Sequence, residues 1–191
     1  MSELIDFPGF AQEVARANAL LSHIKNGGPR AINSALNRTI TGVRTDLVRS
    51  VRDNYDVKAS DVRNAMQLKK SNPSTLTASI GASGAPLPLI NFRVKPAQPG
   101  KQKPGSTLRV SVKKSGGKPI KGAFVAKLQG GRVGVAIRVG KARLPLKELH
   151  GPSVPQMLGE ANLATNVMSS AQERFLKRIA HEVDWLLEKG K

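Results

Sequence analysis

The sequence predicts an α+β fold: two N-terminal helices, a central antiparallel β-sheet with a mobile basic loop, and a C-terminal helix. Three observations predict it. Apolar residues recur at three- and four-residue steps near both ends of the chain. Between Thr75 and Val139 the recurrence shifts to every second residue, punctuated by Gly and Pro. Helical and strand patterns are segregated, whereas a parallel sheet would need them to alternate. The length, 191 residues, suits a single domain spanning 1–191.

From Pro8 onward, Phe10, Val14, Ala17, Leu21 and Ile24 keep helical spacing, and Asn26-Gly27-Gly28-Pro29 supplies the stop. Pro29 suits the first turn of a second helix, where its missing N–H would have no intrahelical partner anyway. Ile32, Leu36, Ile40, Val43, Leu47, Val51 and Tyr55 then follow at three- and four-residue steps. The opposite face carries Arg30, Arg38, Arg44, Arg49 and Arg52, interrupted by Asp46 and Asp53, so some local pairing is expected on a solvated or partner-facing surface. Ser60 beside Asp61 can cap a short turn running through Met66, which Asn72-Pro73 closes.

Thr75 to Ile80, Leu108 to Val112, Phe124 to Leu128 and Val133 to Val139 read as strands, with Gly130-Gly131 as the hairpin turn between the last two. The apolar run from Leu87 to Val94 contains Pro88 and follows Pro86, which restricts it to an edge strand at best. Residues 95–106 hold three prolines, two glycines and three lysines with nothing to bury, which describes an exposed mobile loop. Past Gly151-Pro152-Ser153-Val154, Pro155 can start a helix. Leu163, Val167, Ala171, Phe175, Ile179, Val183 and Leu186 space a final helix over 163–188. Phe175 and Trp185 read as core rings at that spacing.

The charge is strongly uneven. Residues 71–147 hold fifteen bases and no acid, within a total of 31 bases and 13 acids. After Asp61 the next carboxylate is Glu148. Such a segment is expected not to neutralise itself through internal salt bridges, so its field must be met by counterions, nucleic acid or an acidic protein. Aromatic content is 4%, too low for the rows of stacking rings that read single-stranded bases. Lysines on short hairpins instead suit phosphate contact without sequence readout. The candidate contact set for DNA or an acidic partner is Lys101, Lys103, Lys113, Lys114, Lys118, Lys121, Arg132, Arg138, Lys141 and Arg143; Lys127 also falls on the strands but is not counted in that set.

Chemistry is hard to build from this composition. The 86 residues from Val62 to Lys147 contain neither carboxylate nor histidine, so no general base is available there. With no cysteine and only His23, His150 and His181, neither a thiolate nor a histidine-rich metal site is expected. His181, Glu182 and Asp184 do not converge as a His-Glu-x-x-His motif would. Gly116-Gly117-Lys118 and Gly140-Lys141 lack phosphate-loop spacing. No catalytic residue, cofactor or metal is assigned. No run approaches the roughly 18 apolar residues that span a bilayer, and the acidic N-terminus is unlike a signal peptide, so a soluble, non-secreted protein without a membrane partner is expected.

Four segments, in order, carry a resemblance. They are Arg30-Ala31-Ile32-Asn33-Ser34-Ala35-Leu36-Asn37-Arg38 running to Tyr55-Asp56-Val57; Pro86-Leu87-Pro88-Leu89-Ile90-Asn91-Phe92; Ile120-Lys121-Gly122-Ala123-Phe124-Val125; and Leu144-Pro145-Leu146 with Gly151-Pro152-Ser153-Val154-Pro155-Gln156-Met157. Over residues 30 to 158 the chain resembles the minor tail protein Z family of long-tailed bacteriophages, also described as tail completion proteins.

The resemblance implies a structural virion component at the head-proximal end of the tail, acting in tail completion and head–tail joining. It also implies a homo-oligomeric ring, sixfold at family level, through which the genome passes. The implied partners are further copies of itself, neighbouring tail proteins such as the tail terminator, tail tube or tape measure, the head–tail connector, and genomic DNA bound non-specifically. Gly122, Ala123, Phe124, Gly151, Pro152, Ser153 and Pro155 are then the candidate assembly motifs, and assembly would begin in the host cytoplasm. Composition alone favours a different class, a cellular basic nucleic-acid-binding protein.

Overall fold

The structure, a computed structural model, describes residues 10–103, 106–160 and 163–189. Pro8, the N-terminal acids Glu3 and Asp6, and Pro104 and Gly105 of the basic loop lie outside the described residues. The α+β expectation holds, with helices at both ends and antiparallel strands between. The chain divides into two compact units. Unit 1 comprises Met1–Leu47, Met66–Ala82 and Ala161–Lys191, and unit 2 comprises Val48–Ala65 and Ser83–Glu160.

Unit 1 is built from helix α1 (Phe10–Leu20), most of α2 (Gly27–Asn54), strands β1 (Met66–Lys69) and β2 (Ser79–Ala82), and α5 (Leu163–Lys189). Ala17, Leu21, Ala31, Ile32, Ala35, Phe175, Ile179, Val183 and Leu186 form its buried core, the apolar stripes expected from their spacing. The first helix ends earlier than the periodicity predicts. Leu21 and Ile24 belong to the connecting turn, although both still pack on the core. Gly27 and Gly28 open α2 instead of closing α1. A Cβ on Gly28 would lie 1.9 Å from Asn18 Oδ1, so the absence of a side chain lets α2 start against α1. Asn37 clamps the chain after β1 to α2: its Nδ2 donates to Ser71 O (3.0 Å), and Ser71 N donates to its Oδ1 (2.8 Å).

Phe175 is buried as expected, but Trp185 is 41% exposed. It sits one residue before the buried Leu186, off the stripe that packs inward, and Lys189 Nζ lies 4.6 Å from its ring centroid. Two charged residues of α2, Arg38 and Asp46, pair across to a second helix. Arg38 meets Glu182 (3.2 Å) and Asp46 meets Arg174 (2.8 Å), both partners being on α5. Gly42 makes room for the second pair, since a Cβ there would lie 2.2 Å from Arg174 Nη1.

Unit 2 holds the last turns of α2, a short α3 (Ala59–Asn64), two three-stranded antiparallel sheets and α4 (Val154–Gly159). The first sheet has the order β3 (Arg93–Lys95), β4 (Leu108–Ser111), β5 (Lys118–Ile120), and the second β6 (Phe124–Lys127), β7 (Val133–Arg138), β8 (Leu146–Glu148). With β1–β2 in unit 1, the expected central sheet is therefore three small sheets. Strands β3, β5 and β8 are three-residue edge strands, too short to leave a period-two record. Thr75 to Thr77 precede the strand that the periodicity placed there, and Met66 starts β1 where a helical turn was expected. Ser60 lies inside α3, whose N-cap position is Lys58 with no side-chain hydrogen bond. Gly130 and Gly131 do make the hairpin turn, at φ of 80° and 76°, a region that glycine enters without strain.

Candidate partner-binding surface

All ten candidate cations fall in unit 2, and all ten are exposed. Their positions follow from strand alternation. In the first sheet Val94 pairs with Val110, and Leu108 lies two residues before Val110 on the same face. These three side chains are buried. The register then sends Arg93, Lys95 and Arg109 to the opposite face, where all three are exposed. Lys95 stands directly across from Arg109. Two like charges opposed in neighbouring strands repel, which costs stability unless solvent or an anion intervenes. None of these three was in the sequence-derived contact set. The signal was present in Arg93-Val94-Lys95 and Leu108-Arg109-Val110, where charge and valine alternate, but it becomes legible only once the two strands are known to pair.

The other cations are distributed around this sheet and its neighbour. Lys113 and Lys114 follow β4, Lys118 opens β5, and Lys121 lies in the turn whose Gly122 has a φ of 75°. Lys101 and Lys103 lie in the loop between β3 and β4. That loop is exposed as expected but also tethered, since Gln102 Nε2 donates to Ser106 O (2.8 Å) and to Ala123 O (3.2 Å). Arg132 precedes β7, Arg138 ends it, and Lys141 and Arg143 lie in the loop that leads to β8.

Three carboxylates from outside the acid-free segment do reach it, which corrects the expectation that its charge is met wholly from elsewhere. Asp56 meets Arg93 (3.4 Å), Glu160 meets Lys113 (2.5 Å) and Glu148 meets Arg132 (2.6 Å). Linear separation hid these pairs; the antiparallel fold brings the flanks back. Among the described residues, the other twelve of the fifteen cations have no ion pair.

Glu160 is the most elaborate of the three carboxylates. Tyr55 leaves α2 and forms a bridge with Lys113, flanked by Asp56 N donating to Val112 O and Lys114 N donating to Asn54 O (both 2.9 Å). The Tyr55 hydroxyl then donates to Glu160 Oε2 at 2.6 Å, beside the lysine. The hydrogen bond from Lys113, followed by the one from Tyr55, holds the Glu160 carboxyl below its ordinary range. Burial first, and the neighbouring Glu160 second, push the Tyr55 phenol upward. This is a fixed structural link, with each charge engaged.

Of the seven candidate assembly residues two are buried, four are half-buried and Gly122 is exposed. Ala123 and Ser153 are buried, and Phe124 is half-buried with the Arg138 guanidinium 5.6 Å from its ring centroid. Gly151 N donates to Leu87 O (2.8 Å), and a Cβ on Gly151 would lie 2.7 Å from the Phe92 ring. Ser153 caps α4 in a reciprocal capping box with Gln156, with Pro155 in the first turn as the sequence anticipates. Two of the four segments that carried the resemblance, 86–92 and 151–157, thus pack against each other. What the structure shows for these residues is fold construction.

Among the described residues no group of three or more His, Asp or Glu could hold a metal ion, and no helix is long and apolar enough to cross a membrane. His150 participates in a backbone bridge with Pro88, and Glu182 is engaged by Arg38.

The model of the prophage minor tail protein Z family matches residues 13–189, nearly the whole chain, and the chain belongs to that family. No curated protein and no solved structure matches it. The protein is accordingly a bacteriophage tail component, and its place is in the virion.

Proposed function

From membership in that family, we propose that this chain acts in tail completion at the head-proximal end of the tail and in head–tail joining, as a homo-oligomeric ring around the path of the genome, and that it carries no catalytic role. One observation carries the reading: twelve exposed cations of unit 2 have no carboxylate partner among the described residues, and Lys95 and Arg109 stand opposed on one sheet face. Charges left in this state attract a polyanion without reading its sequence, which suits a duplex that must slide past. The tail family favours this over a cellular nucleic-acid-binding role.

The direct test is assembly without the protein. Particles made in its absence are expected to contain finished heads and tails that fail to join, seen by negative-stain electron microscopy. Normal joining would overturn the proposal. The cellular alternative is tested by salt dependence. A monomer with tight binding to nucleic acid and a steep fall of log affinity with log salt would favour it, whereas a fixed oligomer with weak, sequence-indifferent binding favours the tail role.

A further inference from the structure

We infer that copies of this chain join head to tail, with the loop between β7 and β8 of one copy seated in the groove between α1 and α5 of the next. The inference rests on the oligomeric reading above and names the two surfaces that make the contact.

The donor is residues 138–145, Arg138-Val139-Gly140-Lys141-Ala142-Arg143-Leu144-Pro145, every one of them exposed. Val139 N donates to Pro145 O (3.3 Å), so the two ends of the loop are held together. Val139 is 65% and Leu144 66% exposed, the two highest values among the exposed large hydrophobic residues. Leaving two branched aliphatic side chains in water in one loop wastes burial, and the chain does so nowhere else among the described residues to this degree. Arg138, Lys141 and Arg143 surround them, and none has an ion pair among the described residues.

The acceptor lies in unit 1. Ala17, Leu20, Ile179, Ala180 and Val183 line a groove whose charged residues are Glu13, Arg16 and Asp184. Leu20 is 46% exposed there. No ion pair engages Glu13, Arg16 or Asp184 among the described residues, so the rim holds two acids and one base. The groove volume is about 100 Å³. A cavity of about 150 Å³ accommodates benzene, so this groove takes one aliphatic side chain and not a helix. An aliphatic residue with cations around it is therefore matched to an aliphatic slot with acids around it, in size, polarity and sign.

Two other grooves among the described residues do not fit the donor, and one of them, lined by Ser170, Glu173, Arg174, Lys177 and Arg178, offers three cations and no aliphatic side chain. The other, lined by Arg30, Ser34, Arg38, His181, Glu182, Trp185 and Leu186, sets two arginines against the loop's cations, and its acid is already engaged by Arg38. Because donor and acceptor are different patches of one chain, the contact is heterologous. Heterologous contacts propagate, and they close into a ring when the rotation between copies permits. One loop covers far less than the roughly 800 Å² per partner of a standard interface, so two copies alone bind weakly and assembly depends on concentration.

The chain has no cysteine, which makes single-cysteine cross-linking clean. Two differently tagged variants, Leu144→Cys and Leu20→Cys, are mixed at a concentration where light scattering shows the wild type to be assembled, then oxidised. The expected result is a disulfide between the two tags, formed at least about tenfold faster than between Leu144→Cys and a Leu176→Cys control. Leu176 is exposed on α5 but outside the groove. As a second arm, Glu13→Lys with Asp184→Lys should weaken assembly, and adding Lys141→Glu with Arg143→Glu should restore it. If the wild type assembles while the control links as fast, or while the reversed charges change nothing, this contact is wrong and the ring survives. If the wild type stays monomeric at every concentration, both are lost.

Discussion

Units 1 and 2 are nearly equal in length, yet they handle charge in opposite ways. Unit 1 carries 12 bases and 8 acids, and unit 2 carries 19 bases and 5 acids, formal charges of +4 and +14. In unit 1 the ion pairs join helices over a continuous apolar core, as Arg38–Glu182 and Asp46–Arg174 do between α2 and α5. In unit 2 the three available pairs sit at the margins, and the cations on the outer face of the first sheet are left to solvent, Arg93 alone excepted. The lesson is that, among the described residues, the unmatched charge of unit 2 is overwhelmingly of one sign, the state that attracts a polyanion, whereas the unpaired groups of unit 1 are of both signs.

The comparison can be broken at its strongest point first. Phe175 is 1% exposed at the centre of the unit 1 core, so Phe175→Ala should destabilise by about 3–5 kcal/mol. Urea unfolding measures this, and a loss below 1 kcal/mol would mean that unit 1 does not depend on that core. The matching site in unit 2 is Gly151, where a methyl group would meet the Phe92 ring and Leu89. Gly151→Ala should cost about 1–3 kcal/mol through overpacking, and full stability would show that the contact between segments 86–92 and 151–157 yields freely.

A third change should run the other way. Lys95→Gln removes one of two opposed cations and should stabilise the chain by about 0.2–1 kcal/mol at low salt. The same variant should bind duplex DNA more weakly, with the slope of log affinity against log salt reduced by about 0.9 if one phosphate contact is lost. A variant that loses stability, or that keeps the wild-type slope, would remove this face from the proposed surface.

The smallest effect is expected from pH. The folded pKa of Glu160 lies below its unfolded value, so its contribution is complete above the unfolded value and fades as pH falls through the folded one. Wild type should therefore exceed Glu160→Gln in stability at pH 7, with the gap closing below about pH 4.3. A gap that is the same at pH 7 and pH 3 would mean that the carboxylate adds nothing to the link with Lys113 and Tyr55. Because Glu160 is exposed, solvent screening keeps the gap small.

Much of this molecule was determined by the sequence alone. Helical periodicity over 32–55 and 163–186 specified α2 and α5 because a buried stripe requires apolar residues at every third or fourth position, whatever the partner. Gly130-Gly131 specified the β6–β7 turn because few other residues enter that backbone region without strain. The cationic character of unit 2 was likewise plain from counting. Only the tertiary structure decided the rest. The three small sheets, the return of Asp56, Glu148 and Glu160 to a segment that has no acids, the outward turn of Trp185 and the cluster of Arg93, Lys95 and Arg109 all depend on which strands and helices pair. Local spacing records which face of an element is apolar, but pairing sets residues far apart in sequence opposite each other, and no local pattern encodes that choice.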